Sequence, residues 1–500
     1  MTRFQRSFLW LLLCFIGILS VSGTIALRNT LLVILLGMFV WALLNAEQRR
    51  AMQLPTLVQT VPRAVWVWLV FLLVFPVLAA EPTLAWQELL LHWSESILTW
   101  VLAIAAVAVL RGCGGPQLWA LAWASAVPVL LHLALVPLAM SGLLHGAFEA
   151  DPGLPTLVST LVALVQHPSS VSVQWQSIMG FRGIEPMHGN IGYPASQTLV
   201  LALACWLHAR RQVQVRSMVM AIFLIVTCLL SSLITSSRGA VLFNGLLLLL
   251  AAGGGVVVHR LQRRQRVKVP SLPQYWRSGV VVLVAASVLV SLFVTVVRHD
   301  ERWQTMLTKM LLGFATQQPL NTLCNGLSAQ DVATIRSQTQ GRGAEYENSL
   351  TAGVEGQDGA RILLLRAGLE LVGGHPRGQD GSRQSFEKIM LKTCGHIPKL
   401  NHAHAHNAWI NLALSVGWLG VGLFAWLLLS FARQGWQMLR RQDEASPLGY
   451  ALFLLAVFWI LRGMADAVFQ DHYLQMQAIF LLSLALLGRS YQANHDLKAS

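Results

Sequence analysis

The chain has 500 residues, is 55% hydrophobic and only 12% charged, and has a mean hydropathy of +0.57. A soluble globular domain carries about 25% charged residues, so the composition excludes that class and marks a polytopic, all-α membrane protein. The formal net charge of +14 would suit a nucleic-acid binder, but the basic residues stand where membrane topology requires them.

The apolar runs predict about twelve helical spans of roughly 17–24 residues each. They are centred in 8–26, 30–46, 64–80, 95–110, 117–140, 191–208, 217–234, 239–258, 279–297, 407–429, 448–465 and 472–488. The first follows Arg3 and Arg6 and shares features with a signal peptide. It is read as an uncleaved span, because the orientation then holds throughout. With a cytoplasmic N-terminus, the inside segments 1–7, 47–63, 111–116, 209–216, 259–278, 430–447 and 489–500 hold 20 Lys and Arg. The short outside segments hold only Arg28, Arg182 and Arg238, which is the bias expected of a membrane protein with its basic loops inside. The cluster Arg260, Arg263, Arg264, Arg266 and Lys268 then reads as a retention signal against anionic lipid, not as a nucleic-acid site.

Three regions follow. Residues 1–297 carry the first nine spans, interrupted by an outside loop at 141–190. Residues 298–406 form a large outside loop with 12 Lys/Arg and 10 Asp/Glu. Residues 407–500 carry the last three spans and a cytoplasmic tail. Loops longer than about 12–15 residues are usually functional or disordered, so the large loop is the place to look for chemistry. It holds Gly-rich polar stretches, Gly341-Arg342-Gly343 and Gly353 to Gly359, and a helix candidate over Arg361–Val372. In that helix Ile362, Leu365, Leu369 and Val372 recur at helical spacing. No internal repeat is visible at the scale of about 20–50 residues.

Cys14, Cys205 and Cys228 fall in spans and Cys113 in an inside turn, leaving Cys324 and Cys394 alone in the large outside loop. Two thiols in an oxidising compartment favour a disulfide over a pair of free cysteines. Closing that loop would stabilise the fold by about 4 kcal/mol in the chain-entropy treatment.

The large loop ends in His402-Ala403-His404-Ala405-His406-Asn407, and an apolar run begins at once. Ionisable groups at a membrane boundary are costly and usually have a task, and histidine is suited to proton transfer near neutral pH. The reading adopted is His406 as general base with His404 positioning it. Asn407 is expected to cap the following helix through its side-chain oxygen. Two other readings stand beside it: a zinc site with Asp466, Asp471 and His472 as further donors, and histidines that merely mark a polar loop end. Arg238, in Ser236-Ser237-Arg238-Gly239, sits at the outside mouth of a span. It is either a snorkelling arginine or a ligand for phosphate oxygens, which its planar fork matches. Arg361 and Arg366 are further candidates for that role, against the alternative of solvated or salt-bridged arginines. No Gly-rich nucleotide loop, Asp-x-Asp pair or serine-hydrolase elbow is present in the sequence.

Taken in order, these motifs resemble the O-antigen ligase and polymerase superfamily. The matching residues run from Ser236-Ser237-Arg238-Gly239-Ala240 through Gly359-Ala360-Arg361-Ile362, Arg366-Ala367-Gly368-Leu369-Glu370 and Gly374-His375-Pro376. They end in His404-Ala405-His406-Asn407 with Gly417-Trp418-Leu419-Gly420. The resemblance covers about residues 217–430. It departs after His375-Pro376, where Arg377-Gly378-Gln379-Asp380-Gly381 replaces the usual Gly-x-Gly turn. It implies a C-type membrane glycosyltransferase fold with a periplasmic loop over the site, in a bacterial inner membrane. It also implies transfer of a glycan from undecaprenyl diphosphate to a sugar hydroxyl of lipid A–core oligosaccharide, with inversion. In such an enzyme Arg238, Arg361 and Arg366 would hold the diphosphate and His406, helped by His404, would take the acceptor proton. No cofactor or metal is expected, and no nucleic-acid partner. An O-antigen polymerase or an O-linked protein oligosaccharyltransferase would share the motifs. A transporter for lipid-linked glycan is the alternative of another class.

Overall fold

The computed structural model describes residues 1–21, 23–111, 117–143, 191–235, 237–264, 301–339, 343–441 and 444–499, with single positions between them. Nearly all of the expected span 279–297 and of the loop 141–190, together with Arg182, Ser236, Arg266, Lys268, Cys113 and Gly341-Arg342, lie outside the described residues. Every regular element among the described residues is a helix. Among the described residues, six helices are long and apolar enough to cross a membrane, or seven if the bent pair Ala46–Thr60 and Arg63–Leu78 forms one span. Those six are Ile25–Leu44, Pro82–Val109, Leu118–Met140, Val215–Ile234, Ala408–Arg441 and Ser446–Gly463. Shorter or more polar helices, among them Arg3–Ile18, Gly192–Arg211 and Asp471–Ala499, pack with them.

Two cores with different physics hold the molecule together. The first lies inside the helical bundle, where lipid tails are as apolar as leucine and close packing matters more than transfer from water. There Ala408–Arg441 runs along Ser446–Gly463, and a Cβ on Gly435 would stand 2.5 Å from the Phe453 nitrogen. Buried side chains also bond between helices: Ser196 Oγ donates to Asn244 Oδ1 at 2.7 Å, and Asn244 Nδ2 donates to Ser232 Oγ at 2.8 Å. The second core belongs to 301–406. Leu312, Leu323, Ile335, Leu350, Leu363, Leu364, Phe386 and Ile389 are buried together with Ala405, Ile410, Ala413 and Leu414. Each fully buried side chain of this kind contributes about 1.5–3 kcal/mol against water. Because Ala405 and Ile410 belong to this core, the polar segment is fastened to the first turn of the helix that follows the histidines. A disulfide joins Cys324 to Cys394, with Cα atoms 5.4 Å apart.

Three local expectations change. The stretch Gly353 to Gly359 is not a loop but the junction of two helices, Ala344–Gly356 and Asp358–Gly374. A Cβ on Gly359 would meet the Lys309 carbonyl at 2.8 Å, so glycine is there for a close crossing. The helix over Arg361–Val372 exists, but Leu369 is 56% exposed while Leu363, Leu364 and Ala367 are fully buried. The helix is packed on more than one side, which no single stripe reports. The segment containing Gly417-Trp418-Leu419-Gly420 is broken at Gly417, whose φ is +76°. The backbone groups freed at this break are taken up by 376–381. Gln379 N donates to the Leu414 carbonyl at 2.8 Å, Gly381 N to Ser415 at 3.0 Å, and Trp418 N to Pro376 at 3.0 Å. Irregular backbone within an apolar span is tolerated only where protein satisfies it. The departure from a Gly-x-Gly turn is therefore accommodated, with Gly378 at φ +72° and Gly381 at φ +77° making the bends.

Candidate functional site

Arg238 begins the helix Arg238–Arg264, and Ser237 Oγ accepts from the Ala240 amide at its start. The Arg238 Nη1 lies 2.5 Å from Asp358 Oδ2 on the first turn of Asp358–Gly374. The next residue, Gly239, is pressed against a second arginine: a Cβ there would stand 2.7 Å from Nη1 of Arg462. Arg462 closes the helix Ser446–Gly463 and is 4% exposed. Its guanidinium lies over the rings of Tyr193 and Phe243, at 4.4 Å and 5.0 Å from their centroids. One nitrogen is 3.4 Å from Asp466 Oδ2, the same oxygen to which the Tyr193 hydroxyl donates. The other oxygen, Asp466 Oδ1, accepts from the Ala467 amide and faces His406 Nδ1 at 3.8 Å. Arg462 and Asp466 therefore link the backbone at Gly239, next to Arg238, to His406.

His406 is held from both sides. Its φ is +47°, a left-handed conformation that is uncommon away from glycine and persists where surrounding contacts enforce it. On one side Asn407 caps the helix as expected: its Oδ1 accepts from Trp409 N at 3.0 Å and Ile410 N at 3.1 Å. Its Nδ2 donates to the Met464 carbonyl at 3.0 Å, tying the cap to the turn that carries Asp466. On the other side Asn411 Oδ1 accepts from the Ala405 amide at 3.0 Å. The ring of His404 lies 4.3 Å from that of His406, centroid to centroid, and that of His402 lies 6.1 Å away.

Electrostatics separate the members of the cluster. Burial, and then the neighbouring His406, push His404 down to about 4, so it is neutral at pH 7. Burial opposes ionisation of Asp466. The His406 imidazole, the Arg462 guanidinium and the Tyr193 hydroxyl outweigh it and hold the carboxyl well below the usual carboxylate range. Arg361 is exposed one turn beyond Asp358, and its field reaches both His404 and Asp466. Donor atoms of His404, His406 and Asp466 all lie within 4.8 Å of one another, so three members of the expected zinc set do converge. Arg462 and Arg361 act on the same carboxylate, and fixed cations favour an incoming anion over a second cation.

Arg366 has a different position. Its Nη1 donates to the carbonyls of Gly313, Phe314 and Thr316 at 3.1, 2.9 and 2.5 Å. These are groups left open at the end of the helix Glu301–Ala315, and satisfying them is a capping role. Arg366, expected as a third diphosphate ligand, spends Nη1 on its own chain.

No known protein-family profile matches this chain, and no curated protein matches it.

Sequence reading missed Arg462, Tyr193 and Asp358. Arg462 carried a usable signal: it is a lone arginine inside the expected span 448–465, four residues before an aspartate, and such residues mark functional sites by default. Tyr193 and Asp358 carried none, because only the fold brings them to Asp466 and Arg238.

Proposed function

We propose that this chain is a membrane glycosyltransferase of the O-antigen ligase type. It transfers a glycan from undecaprenyl diphosphate to a sugar hydroxyl of lipid A–core oligosaccharide. The observation that carries the reading is the link from Gly239, next to Arg238, through Arg462 and Asp466 to His406, with Arg361 beside it. A proton acceptor and fixed guanidinium groups share one end of a bundle built to meet lipid. The finer architecture belongs to the same proposal: about twelve spans, a C-type arrangement, a bacterial inner membrane, and 298–406 on the periplasmic face.

In this reading His406 Nδ1 stays turned toward Asp466, leaving Nε2 to accept the proton of the acceptor hydroxyl. The oxygen attacks the anomeric carbon as the bond from that carbon to the diphosphate oxygen breaks. The electron pair leaves with the diphosphate, and the configuration inverts. Arg238 and Arg361 stabilise the growing negative charge, a task for which preorganised cations in a desolvated site are effective. Asp358 aims Arg238, and Asp466 orients His406, as a carboxylate orients a catalytic imidazole elsewhere. The donor carries its activation in the diphosphate, so ATP has no part, and the arginines take the place a divalent metal would fill.

Purified protein mixed with labelled undecaprenyl diphosphate glycan and lipid A–core should yield labelled lipopolysaccharide, and should do so in EDTA. Product on the growing glycan or on a peptide would move the assignment to polymerase or protein glycosyltransferase. Loss of turnover in EDTA, restored by zinc, would move it to the histidine metal site.

A further inference from the structure

The helix Glu301–Ala315 is polar inward and apolar outward. Thr305 and Lys309 are buried, whereas Leu307, Leu311 and Phe314 are 65%, 56% and 54% exposed. Packing settles which face is inner. The Lys309 stem lies against Gly353, where a Cβ would meet it at 2.4 Å, and its Nζ donates to Gln357 Oε1 at 3.0 Å. A Cβ on Gly313 would stand 2.6 Å from the Gly359 carbonyl. Leu307, Leu311 and Phe314 recur at i, i+4 and i+7, so they share the opposite face, with Trp303 and Met310 half-buried at its edge. In the same segment the helix Ala329–Gln338 is built the ordinary way round: Ile335 is buried, and Gln330, Arg336 and Ser337 are exposed.

Both ends of the inverted helix stand near the level where a span begins. Its last carbonyls accept from Arg366. Two residues further along that partner helix, a Cβ on Gly368 would lie 2.7 Å from Cγ2 of Ile410, in the first turn of Ala408–Arg441. At the other end, Glu301 follows the apolar run 279–297 by only three residues, so at most about 14 Å of chain separates them. The outer surface is also continuous with that of the span. Trp418 and Leu419 are exposed on it, and Trp418 N is bonded to the Pro376 carbonyl, just past the end of Asp358–Gly374. Leu369 lies between Gly368 and Pro376 in the chain and is exposed as well.

Water disfavours an unbroken apolar stripe of this kind. A bilayer favours it, and helices with one apolar face settle at the boundary between headgroups and acyl chains. We propose that Glu301–Ala315 is an interfacial helix, with Leu307, Leu311 and Phe314 seated among the acyl chains of the leaflet in which Ala408–Arg441 begins. Lys309, Gly313 and Arg366 tie this helix to Asp358–Gly374, so lipid contact sets the height at which Asp358 and Arg361 stand over the membrane. The proposal rests on the chain's spanning helices and not on glycosyl transfer.

Full-length protein is reconstituted in phosphatidylcholine–phosphatidylglycerol vesicles that carry a trace of phosphatidylcholine with a diazirine on its acyl chain close to the glycerol. After irradiation, lipid adducts are located by mass mapping. Leu419 and Trp426, exposed on the span, are the positive control, and Ala329–Gln338 is the negative one. Adducts are expected on Leu307, Leu311 or Phe314 and not on Gln330, Arg336 or Ser337. Leu307→Glu with Leu311→Glu changes two exposed side chains. It should leave Tm in detergent unchanged and cut adducts at Phe314 about tenfold, because carboxylates are strongly disfavoured among acyl chains. Leu311→Ser alone should give a smaller loss in the same direction. A helix 301–315 free of adducts while Leu419 and Trp426 are labelled would overturn the proposal. So would cross-linking of the same face to a second copy of this chain, with the double variant converting a dimer to a monomer.

Discussion

Two polar regions at the same end of the molecule are built on opposite plans. Around Asp380 and Arg366 the charged groups are consumed locally. Asp380 is fully buried, accepts from Lys388, Ser385 and the Ser382 amide, and is held below the usual carboxylate range by them against its burial. Arg366 is spread over three carbonyls. Around His406 the groups are brought close and left incomplete. His406 Nδ1 stops at 3.8 Å from Asp466, and His402 Nε2, His406 Nδ1 and Arg462 Nε are buried without a hydrogen-bond partner. The first region ties each charge to fixed partners, whereas the second gathers His406, Arg462 and Tyr193 around one carboxylate. The difference also shows why residue type alone misleads. Arg238 and Arg366 have the same chemistry, yet one pairs with Asp358 at the site and the other caps a helix.

The comparison breaks most visibly if Arg238 and Arg366 prove interchangeable. Arg238→Ala should lower transfer by about 10²–10³-fold, the usual effect of removing one positioned donor, with the protein still inserted and folded. Arg238→Lys should rescue poorly, because a point charge loses the two-pronged geometry. Near-wild-type turnover in both variants, measured on labelled product, would return Arg238 to a structural role.

The next effect concerns the platform beneath the site. Cys324→Ser with Cys394→Ser should destabilise the 301–406 segment by about 4 kcal/mol in the chain-entropy treatment. Proteolysis should then begin in that segment while the helical bundle stays intact. A protease pattern indifferent to the disulfide would show that the second core is sufficient alone. Arg366→Met should cost less, about 1–3 kcal/mol for the carbonyls it uncovers. Activity per folded molecule should be kept. A large fall in kcat with unchanged stability would restore Arg366 to the diphosphate site.

Much of this architecture could be read from sequence because it rests on composition and spacing. The apolar runs 117–140 and 217–234 coincide with the helices Leu118–Met140 and Val215–Ile234. Asn407 before an apolar run announced its cap, and two cysteines stranded in one loop announced their bond. The rest depends on tertiary contact. Nothing in the string around Tyr193 points to Asp466, 273 residues away. The break at Gly417 is invisible until 376–381 is seen to fill it. Leu369 continues an apolar spacing but faces outward, because its helix is gripped on other faces.

A smaller effect sharpens the contrast in protonation. His404 is held at about 4 when folded, against an unfolded value of about 6.5. The folded state therefore binds fewer protons than the unfolded state between those two values. Stability from this source is complete above about pH 6.5 and declines as the pH falls toward about 4. His404→Asn should flatten the slope of Tm against pH in that window. An unchanged slope would mean that His404 is not held neutral by its surroundings.

The central claim is that His406 takes the acceptor proton and does not hold the donor. The most direct measurement compares wild type and His406→Ala in two assays on the same purified material: binding of the undecaprenyl diphosphate glycan, and single-turnover transfer to lipid A–core. The account predicts unchanged donor affinity and a loss of transfer of about 10²–10⁴-fold, the usual contribution of a general base. Loss of donor binding, or transfer at the wild-type rate, would contradict it.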